Sequence, residues 1–283
     1  MNCSAKIVVF DLDETLGYFT EFGMFWDALK NYYKNQNINQ NINNINQNQN
    51  QNQNRIFNQE FFNKTLDLYP EFTRPNIINI LNYLRKKKQD NHCHKLMIYT
   101  NNQGPVEWAQ QIKTYFESKI NYKLFDQIIA AFKVNGKHVE LCRTTHMKTH
   151  KDFISCTKIP ETTQICFIDD VFHQGMINDN IYYIHIKPYS HDLSFDTIID
   201  RFIGSGLLDA PTSMKADVIT AMKRYNYTYV EKSVLEHEID NMLSKKILHH
   251  LHIFFNKQST TGTLRNKNKG KSKNKTVKNK IIK

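Results

Sequence analysis

Two aspartates follow directly after a short apolar run near the start of the chain. Asp11 and Asp13 stand two residues apart in the segment FDLDETLG, after the run KIVVF. On a strand this spacing points both side chains to the same side, and paired like charges cost stability unless a cation or substrate uses them. One carboxylate can act as a nucleophile while the other moves a proton. The segment therefore predicts that the two carboxylates take part in a reaction. The simpler interpretation is a strand end followed by a polar turn.

Two further polar segments also follow apolar runs. TNNQG, which begins with Thr100, follows the run KLMIY. The pair Asp169 and Asp170 follows the run ICFI. In an open α/β sheet the functional edge lies beyond the carboxyl ends of the strands, so the three segments would meet there. A carboxylate that attacks a phosphate needs its charge neutralised, and Mg²⁺ bound by oxygen ligands supplies this. Asp11 together with Asp169 and Asp170 offers such a site.

Thr100 and the backbone amides that follow it could hold phosphate oxygens. These amides precede a helix expected to begin at Pro105, and the N-terminus of a helix favours anions. A lysine between the third and fourth strands would neutralise the nucleophile and the phosphate. Both Lys148 and Lys151 lie in this interval.

Apolar runs that alternate with helical patterns predict the elements that position these side chains. Five runs indicate buried strands: 6–10, 95–99, 127–132, 165–168 and 181–186. Helices are expected from Pro75 and from Pro105, near 148–156 and over 231–255. The alternation predicts an α/β fold with a central, mostly parallel sheet and right-handed crossovers.

Four motifs in order resemble those of the haloacid-dehalogenase (HAD) phosphohydrolases: DLDETLG, YTNNQ, a lysine and FIDD. The first is most similar to the branch of RNA polymerase II C-terminal-domain phosphatases and NLI-interacting-factor-like proteins. The chain is also similar to uncharacterised HAD-like proteins of large DNA viruses. The resemblance covers roughly residues 5–203 and implies a Rossmann-like core with a small or absent cap. Gly17 and Tyr18 depart from the usual continuation of that branch.

The resemblance implies a role for each matching residue. Asp11 would be the nucleophile and Asp13 the general acid and base, and Thr100 and Asn101 would bind the phosphate.

The resemblance also implies a Mg²⁺ site and a lysine. The Mg²⁺ ligands would be the side chains of Asp11, Asp169 and Asp170 and the main-chain carbonyl of Asp13. Asp170 is expected at the ion and Asp169 at the lysine. KDFISC favours Lys151 as that lysine, while RTTHMK keeps Lys148 as the alternative.

The activity implied by the resemblance is Mg²⁺-dependent hydrolysis of phosphomonoesters through an aspartyl-phosphate. A phosphoprotein is the expected substrate, because the segment between Thr15 and Thr100 leaves room for only a small cap and an open site favours a macromolecule. The alternatives are a polynucleotide 3′-phosphatase, a small-metabolite phosphatase, and a non-catalytic binding module on a HAD fold. The first is an alternative because TNNQG is similar to the TNQ of polynucleotide-kinase 3′-phosphatases. The complete acidic set argues against the binding module, and the lack of a Walker A motif excludes a fused kinase.

Composition divides the chain into a core, an extension and a tail. The core, 1–203, contains an insert at 35–54 with 17 Asn or Gln and three Ile, which is expected to be disordered. A helical extension over 204–256 follows. The tail, 257–283, has ten Lys or Arg and no Asp or Glu, so the net charge of +11 leaves only +1 for the rest (11 minus 10). A disordered tail of this kind either aids solubility or binds nucleic acid or an acidic partner.

Other features bear on the compartment. No apolar stretch approaches the ~18 residues of a membrane-spanning helix, and the N-terminus lacks the pattern of a signal peptide. The five cysteines are odd in number and form no CxxC pair, which favours a reducing compartment without a disulfide framework. We therefore expect a soluble intracellular protein of cytoplasm or nucleus, with no membrane partner.

Overall fold

The computed structural model describes residues 5–41, 56–256 and 279–282. The strands are β1 (Lys6–Phe10), β2 (Lys95–Tyr99), β3 (Gln127–Ile129), β4 (Lys133–Val134), β5 (Lys137–His138), β6 (Gln164–Asp169), β7 (Ile181–Ile186) and β8 (Asn279–Ile282). Six of them form one sheet in the order β3-β2-β1-β6-β7-β8, and each neighbouring pair is parallel. β4 and β5 form a separate antiparallel hairpin. The predicted α/β class and parallel sheet are confirmed.

The described residues form helices on both sides of the sheet, with one helix on one side and the others on the opposite side. The helices are α1 (Thr20–Asn41), α2 (Gln59–Leu66), α3 (Ile77–Gln89), α4 (Val106–Lys119), α5 (His150–Thr157), α6 (Phe195–Ser205), α7 (Met214–Lys223) and α8 (Val234–Asn256). Short 3-10 turns lie at Pro70–Phe72 and Gln174–Met176.

Alternate residues of the buried strands supply two separate cores. Val8 and Phe10 of β1 point to the larger core, which contains side chains of every helix except α5. Ile7 and Val9 point to the opposite face, where Phe153 of α5 covers them. Because both faces are covered, the strands are continuous apolar runs rather than alternating ones, and this explains why the sequence predicts them well.

The third predicted strand is shorter than expected, because β3 ends at Ile129 instead of residue 132. After Ile129 the chain leaves the sheet, and its carbonyl groups accept hydrogen bonds from the loop that follows. The carbonyl of Ala130 accepts from the Arg143 guanidinium at 2.8 Å, and that of Phe132 accepts from the Val139 N–H at 3.1 Å. These backbone groups are therefore satisfied outside the sheet.

The helix starts predicted at the two prolines are displaced by one or two residues. α3 begins at Ile77 rather than at Pro75, because Asn76 has a left-handed backbone with φ of 60°. Pro105 has an extended backbone and stands just before α4 as its N-cap residue.

The extension and parts of the insert and tail are ordered into elements. α7 and α8 bury Met214 and Leu243 in the larger core, together with β1. α1 continues through residues 35–41, which were expected to be disordered, and the rest of the insert lies outside the described residues. Most of the tail also lies outside them, but Asn279–Ile282 forms β8 beside β7, which the sequence analysis did not predict.

Candidate active site

The ends of β1, β2 and β6 lie level with one another at one edge of the sheet. Phe10 of β1 pairs with Ile98 of β2 and with Ile168 of β6. The Asp11 N–H then donates to the Ile168 carbonyl at 2.9 Å. This register brings Asp11 beside Asp169 and places both at the edge where TNNQG begins.

Lys148 lies at the centre of the acidic cluster. Its ammonium donates to Asp11 Oδ1 at 2.5 Å and to Asp169 Oδ2 at 2.7 Å, and its side chain is only 2% exposed. Burial by itself would lower the pKa of Lys148, but the charges of Asp11 and Asp169 outweigh this and raise it above its ordinary value. Lys151, which the sequence analysis preferred, lies exposed on α5. The structure therefore corrects that preference in favour of Lys148.

The start of α5 and a close contact between two loops hold Lys148 in place. Thr149 is the N-cap residue of α5, and its hydroxyl accepts from the Asp152 N–H at 3.0 Å. A Cβ atom at Gly175 would lie 2.8 Å from Thr149 Cγ2 and 3.1 Å from the Lys148 carbonyl. Only glycine therefore fits where the loop after β6 passes over Lys148.

A tight turn after β1 carries Asp13. The Glu14 N–H donates to the Gly17 carbonyl at 2.7 Å, and Glu14 itself has φ of 56°. The buried guanidinium of Arg74 donates to the carbonyls of Glu14 and Thr15 at 2.5 and 2.6 Å. At Gly17 a Cβ would lie 2.4 Å from the Phe72 carbonyl. Glycine at position 17 therefore has a steric reason.

Asp13 is held by a residue that the sequence analysis did not single out. Asn102 donates through Nδ2 to Asp13 Oδ2 at 2.8 Å and accepts from the Gly104 N–H at 2.8 Å. Burial, reinforced by the charge of Asp11, raises the pKa of Asp13 to about 7, although the bond from Asn102 opposes the shift. Asp13 can therefore hold a proton near neutral pH. The signal for Asn102 was its place within TNNQG.

Thr15 links the first motif to the last. Its hydroxyl donates to Asp170 Oδ1 at 2.8 Å, and the Asp170 N–H lies 3.2 Å from the same hydroxyl oxygen. Burial first, and then the charge of Asp11, raises the pKa of Asp170. The expectation that Asp169, rather than Asp170, contacts the lysine agrees with this geometry.

Arg143 fixes the turn that contains Thr100 and Asn101. The buried guanidinium donates to the Thr100 carbonyl at 3.1 Å, to Asn101 Oδ1 at 2.8 Å and to the His146 carbonyl at 2.9 Å. The Thr100 hydroxyl accepts from the Asn102 N–H at 3.0 Å. The Asn101 side chain is thus bound to Arg143. Sequence reasoning missed Arg143, although it lies in the quoted segment RTTHMK.

Three buried carboxylates could hold a metal ion. Asp11, Asp169 and Asp170 offer oxygen atoms that all lie within 4.8 Å of one another. Carboxylate oxygens are the ligands that Mg²⁺ prefers, so this donor set fits that ion. A cation there would also offset the crowded negative charge. The carboxylate of Asp13 is not in this group and contacts Asn102 instead.

Cys142 and Cys156 form a disulfide between the loop after β5 and the last turn of α5. The prediction that the chain contains no disulfide framework is therefore wrong for this pair. The two residues are 14 apart in sequence, too far for a CxxC pattern, and the fold brings them together. Cys93 and Cys166 are buried free thiols.

Among the helices of the described residues, none combines the length and apolar character needed to cross a bilayer.

No protein-family model, no curated protein and no solved structure matches this chain.

Proposed function

We propose that this protein is a Mg²⁺-dependent phosphomonoester hydrolase of the HAD type. The observation that carries the proposal is the contact of the Lys148 ammonium with both Asp11 and Asp169, next to Asp13, whose pKa is raised to about 7. One carboxylate is thus paired with a cation, while another can hold a proton. Two carboxylates in such different environments suit the roles of nucleophile and general acid.

The reaction follows in two steps. A carboxylate oxygen of Asp11 attacks phosphorus, the ester P–O bond breaks, and Asp13 gives its proton to the leaving oxygen. Asp13 then takes a proton from water, whose oxygen attacks phosphorus and releases inorganic phosphate and Asp11. Lys148 orients Asp11 and offsets negative charge throughout. Asp11, Asp169 and Asp170 would hold Mg²⁺, which would neutralise the charge of the transferred phosphoryl group.

A phosphorylated protein is the proposed substrate. The described helices between β1 and β2 bury aromatic side chains such as Phe22, Phe25 and Phe62 in the larger core. They are thus part of the core and do not form a separate cap domain. Because the described residues form no large cap, the site can accept a phosphorylated residue on a macromolecule. Small phosphometabolites and nucleic-acid 3′-phosphates are the alternatives, and a substrate screen separates them.

The test measures phosphate release from phosphopeptides, nucleotides and 3′-phosphorylated oligonucleotides with Mg²⁺. Asp11→Asn should abolish turnover, and a chelator should stop it until Mg²⁺ is restored. Lys148→Ala should lower kcat by roughly 10²–10³, as the loss of a preorganised electrostatic group does. Lys151→Ala is the matched control and should retain activity. Full turnover by Asp11→Asn, or in the chelator, would contradict the proposal, and a defect confined to Lys151→Ala would contradict the assignment of the lysine.

A further inference from the structure

Three apolar side chains lie exposed at the border of the acidic cluster. Met147 immediately precedes Lys148, and Val171 and Phe172 immediately follow Asp170. Their exposed fractions are 52%, 53% and 40%. We call Met147, Val171 and Phe172 the apolar rim. Single exposed apolar side chains are ordinary, but three that flank the lysine and a carboxylate of one site need an explanation.

The two loops of the apolar rim pack against each other. Gly175, in the loop that carries Val171 and Phe172, closely approaches Thr149 and the carbonyl of Lys148. Both loops therefore border the same side of the site. Lys148 contacts Asp11, and the Val171 N–H bonds to Asp169, so both loops begin at the cluster where the proposed phosphate would lie.

The backbone around Phe172 is fixed on both sides. The buried Tyr183 hydroxyl donates to the Val171 carbonyl at 2.8 Å and accepts from the His173 N–H at 2.9 Å. The Val171 N–H donates to Asp169 Oδ1 at 2.8 Å. The turn that presents Phe172 is therefore tied both to the sheet and to the acidic cluster.

The ring of Phe172 is also supported. It stacks on the ring of Tyr183 with centroids 5.7 Å apart and an interplanar angle of 14°. One face is thus packed against Tyr183, while 40% of the residue stays exposed. An aromatic side chain that is already ordered loses little conformational entropy on binding, which favours its use as a contact for ligand.

We infer that Phe172 binds an aromatic ring carried by the leaving group, so that aryl phosphomonoesters, in proteins the tyrosyl phosphate, are the preferred substrate class. This inference rests on the proposed function. Phe172 lies two residues after Asp170, so their Cα atoms are at most about 7 Å apart. That short reach suits a ring joined to the ester oxygen directly, as in a tyrosyl phosphate, or through one methylene, as in benzyl phosphate. In a nucleotide the sugar separates the base from the phosphate, which suits the rim less well.

The first experiment isolates the ring with benzyl phosphate and ethyl phosphate, whose leaving alcohols are close in acidity. The wild-type protein with Mg²⁺ should show a kcat/KM about three- to tenfold higher for benzyl phosphate, the range of one aromatic contact. The difference should lie mainly in KM, since the ring binds equally in the ground and transition states. Phe172→Ala should bring the ratio of the two kcat/KM values close to one.

Two further variants make the result specific. Phe172→Leu keeps apolar bulk without a flat ring and should give an intermediate ratio. Tyr229→Ala removes another exposed aromatic side chain, in the segment between α7 and α8, and should keep the wild-type ratio. An unchanged ratio in Phe172→Ala, or an equal loss in Tyr229→Ala, would overturn the inference.

The second experiment compares a phosphotyrosyl peptide, the phosphoseryl peptide of otherwise identical sequence, and a nucleoside monophosphate. The phosphotyrosyl peptide should have the highest kcat/KM, and Phe172→Ala should reduce its advantage. A Phe172-dependent preference for the nucleotide would overturn the tyrosyl assignment. If the wild-type protein hydrolyses esters without any preference for a ring, the inference fails and the proposed function stands. If it hydrolyses none of the compounds with Mg²⁺, both fail.

Discussion

Replacement of Asp13 by asparagine should stabilise the folded protein even as it removes the proposed general acid. The pKa of Asp13 is raised from 3.8 to about 7, first by burial and then by the charge of Asp11. The ionised carboxylate is therefore less favourable in the folded chain than in the unfolded one. Asparagine has nearly the same shape, carries no charge, and can still accept the bond from Asn102.

The magnitude follows from the size of the shift. Each pKa unit corresponds to about 1.4 kcal/mol, so a shift of about three units gives an upper limit of about 4 kcal/mol. Asp13 retains some contact with solvent, and screening reduces this figure. We expect Asp13→Asn to raise the free energy of unfolding by about 2 kcal/mol at pH 8, half the upper limit.

The sign of the pH dependence is also fixed. Because the folded-state pKa lies above the unfolded one, the folded protein retains the Asp13 proton more strongly. The stability that this proton contributes is fully present below about pH 4 and is lost as the pH rises through about 7. The advantage of Asp13→Asn should therefore be largest at pH 8 and smaller at pH 5.

Urea unfolding of both proteins in the presence of a chelator measures this difference directly. Asp152→Asn is the matched control, because the buried Asp152 carboxylate accepts from the Thr144 N–H at 3.0 Å and from the Thr144 hydroxyl at 2.9 Å. An amide there loses an acceptor, so that variant should be destabilised. A loss of stability in Asp13→Asn at pH 8, or an equal gain at both pH values, would refute the reasoning.

Two other predictions concern neighbouring contacts. Asn102→Ala removes a hydrogen bond to the Asp13 carboxylate, so the pKa of Asp13 should rise further and the alkaline limb of kcat/KM should move up by about one pH unit. Asn101→Ala, the control in the pH titration, should not move that limb, and an identical shift there would contradict the assignment. The disulfide encloses a separation of 14 residues, so the double variant Cys142→Ser, Cys156→Ser should lose about 3 kcal/mol of unfolding free energy. A reductant should produce the same loss in the wild-type protein and none in the double variant, and a reductant effect on the variant would count against this explanation.

The strands were the most predictable part of the fold. β1, β2 and β7 have the bounds that their apolar runs predict, because a strand buried on both faces of a parallel sheet is apolar throughout. β3 was less predictable. Its end depends on Arg143 and Val139, which bind carbonyl groups just after the strand, and no local pattern around residue 130 indicates these distant partners.

The choice of lysine shows how a local signal can decide a site. Lys148 and Lys151 are three residues apart, and the motif alone does not separate them. Thr149 and Asp152 have the spacing of a helix N-cap, and the structure has that bond. The cap places Lys148 in the loop before α5, where it can turn to the sheet edge, and Lys151 at an exposed position in the first turn.

The long-range contacts were beyond what spacing could predict. The disulfide depends on the return of the loop after β5 to the end of α5, and Asn102 reaches Asp13 across 89 residues. Each requires the complete sheet register. The three strand-ending segments, in contrast, are predictable because parallel strands that share a sheet present their carboxyl ends at one edge.

The loop 139–149 contains Lys148 and also contacts the turn at Thr100 and Asn101, which is the candidate phosphate turn. Its Arg143 binds the carbonyl of Thr100 and also the carbonyl of His146, two residues before Lys148. Its Cys142 joins the same loop to α5, whose first turn follows Lys148. The position of the ammonium relative to the phosphate turn is thus set by a single buried guanidinium and by the helix that the disulfide anchors. Because the proposed reaction needs both groups on one phosphate, this loop determines the geometry of the site as much as the four motifs do.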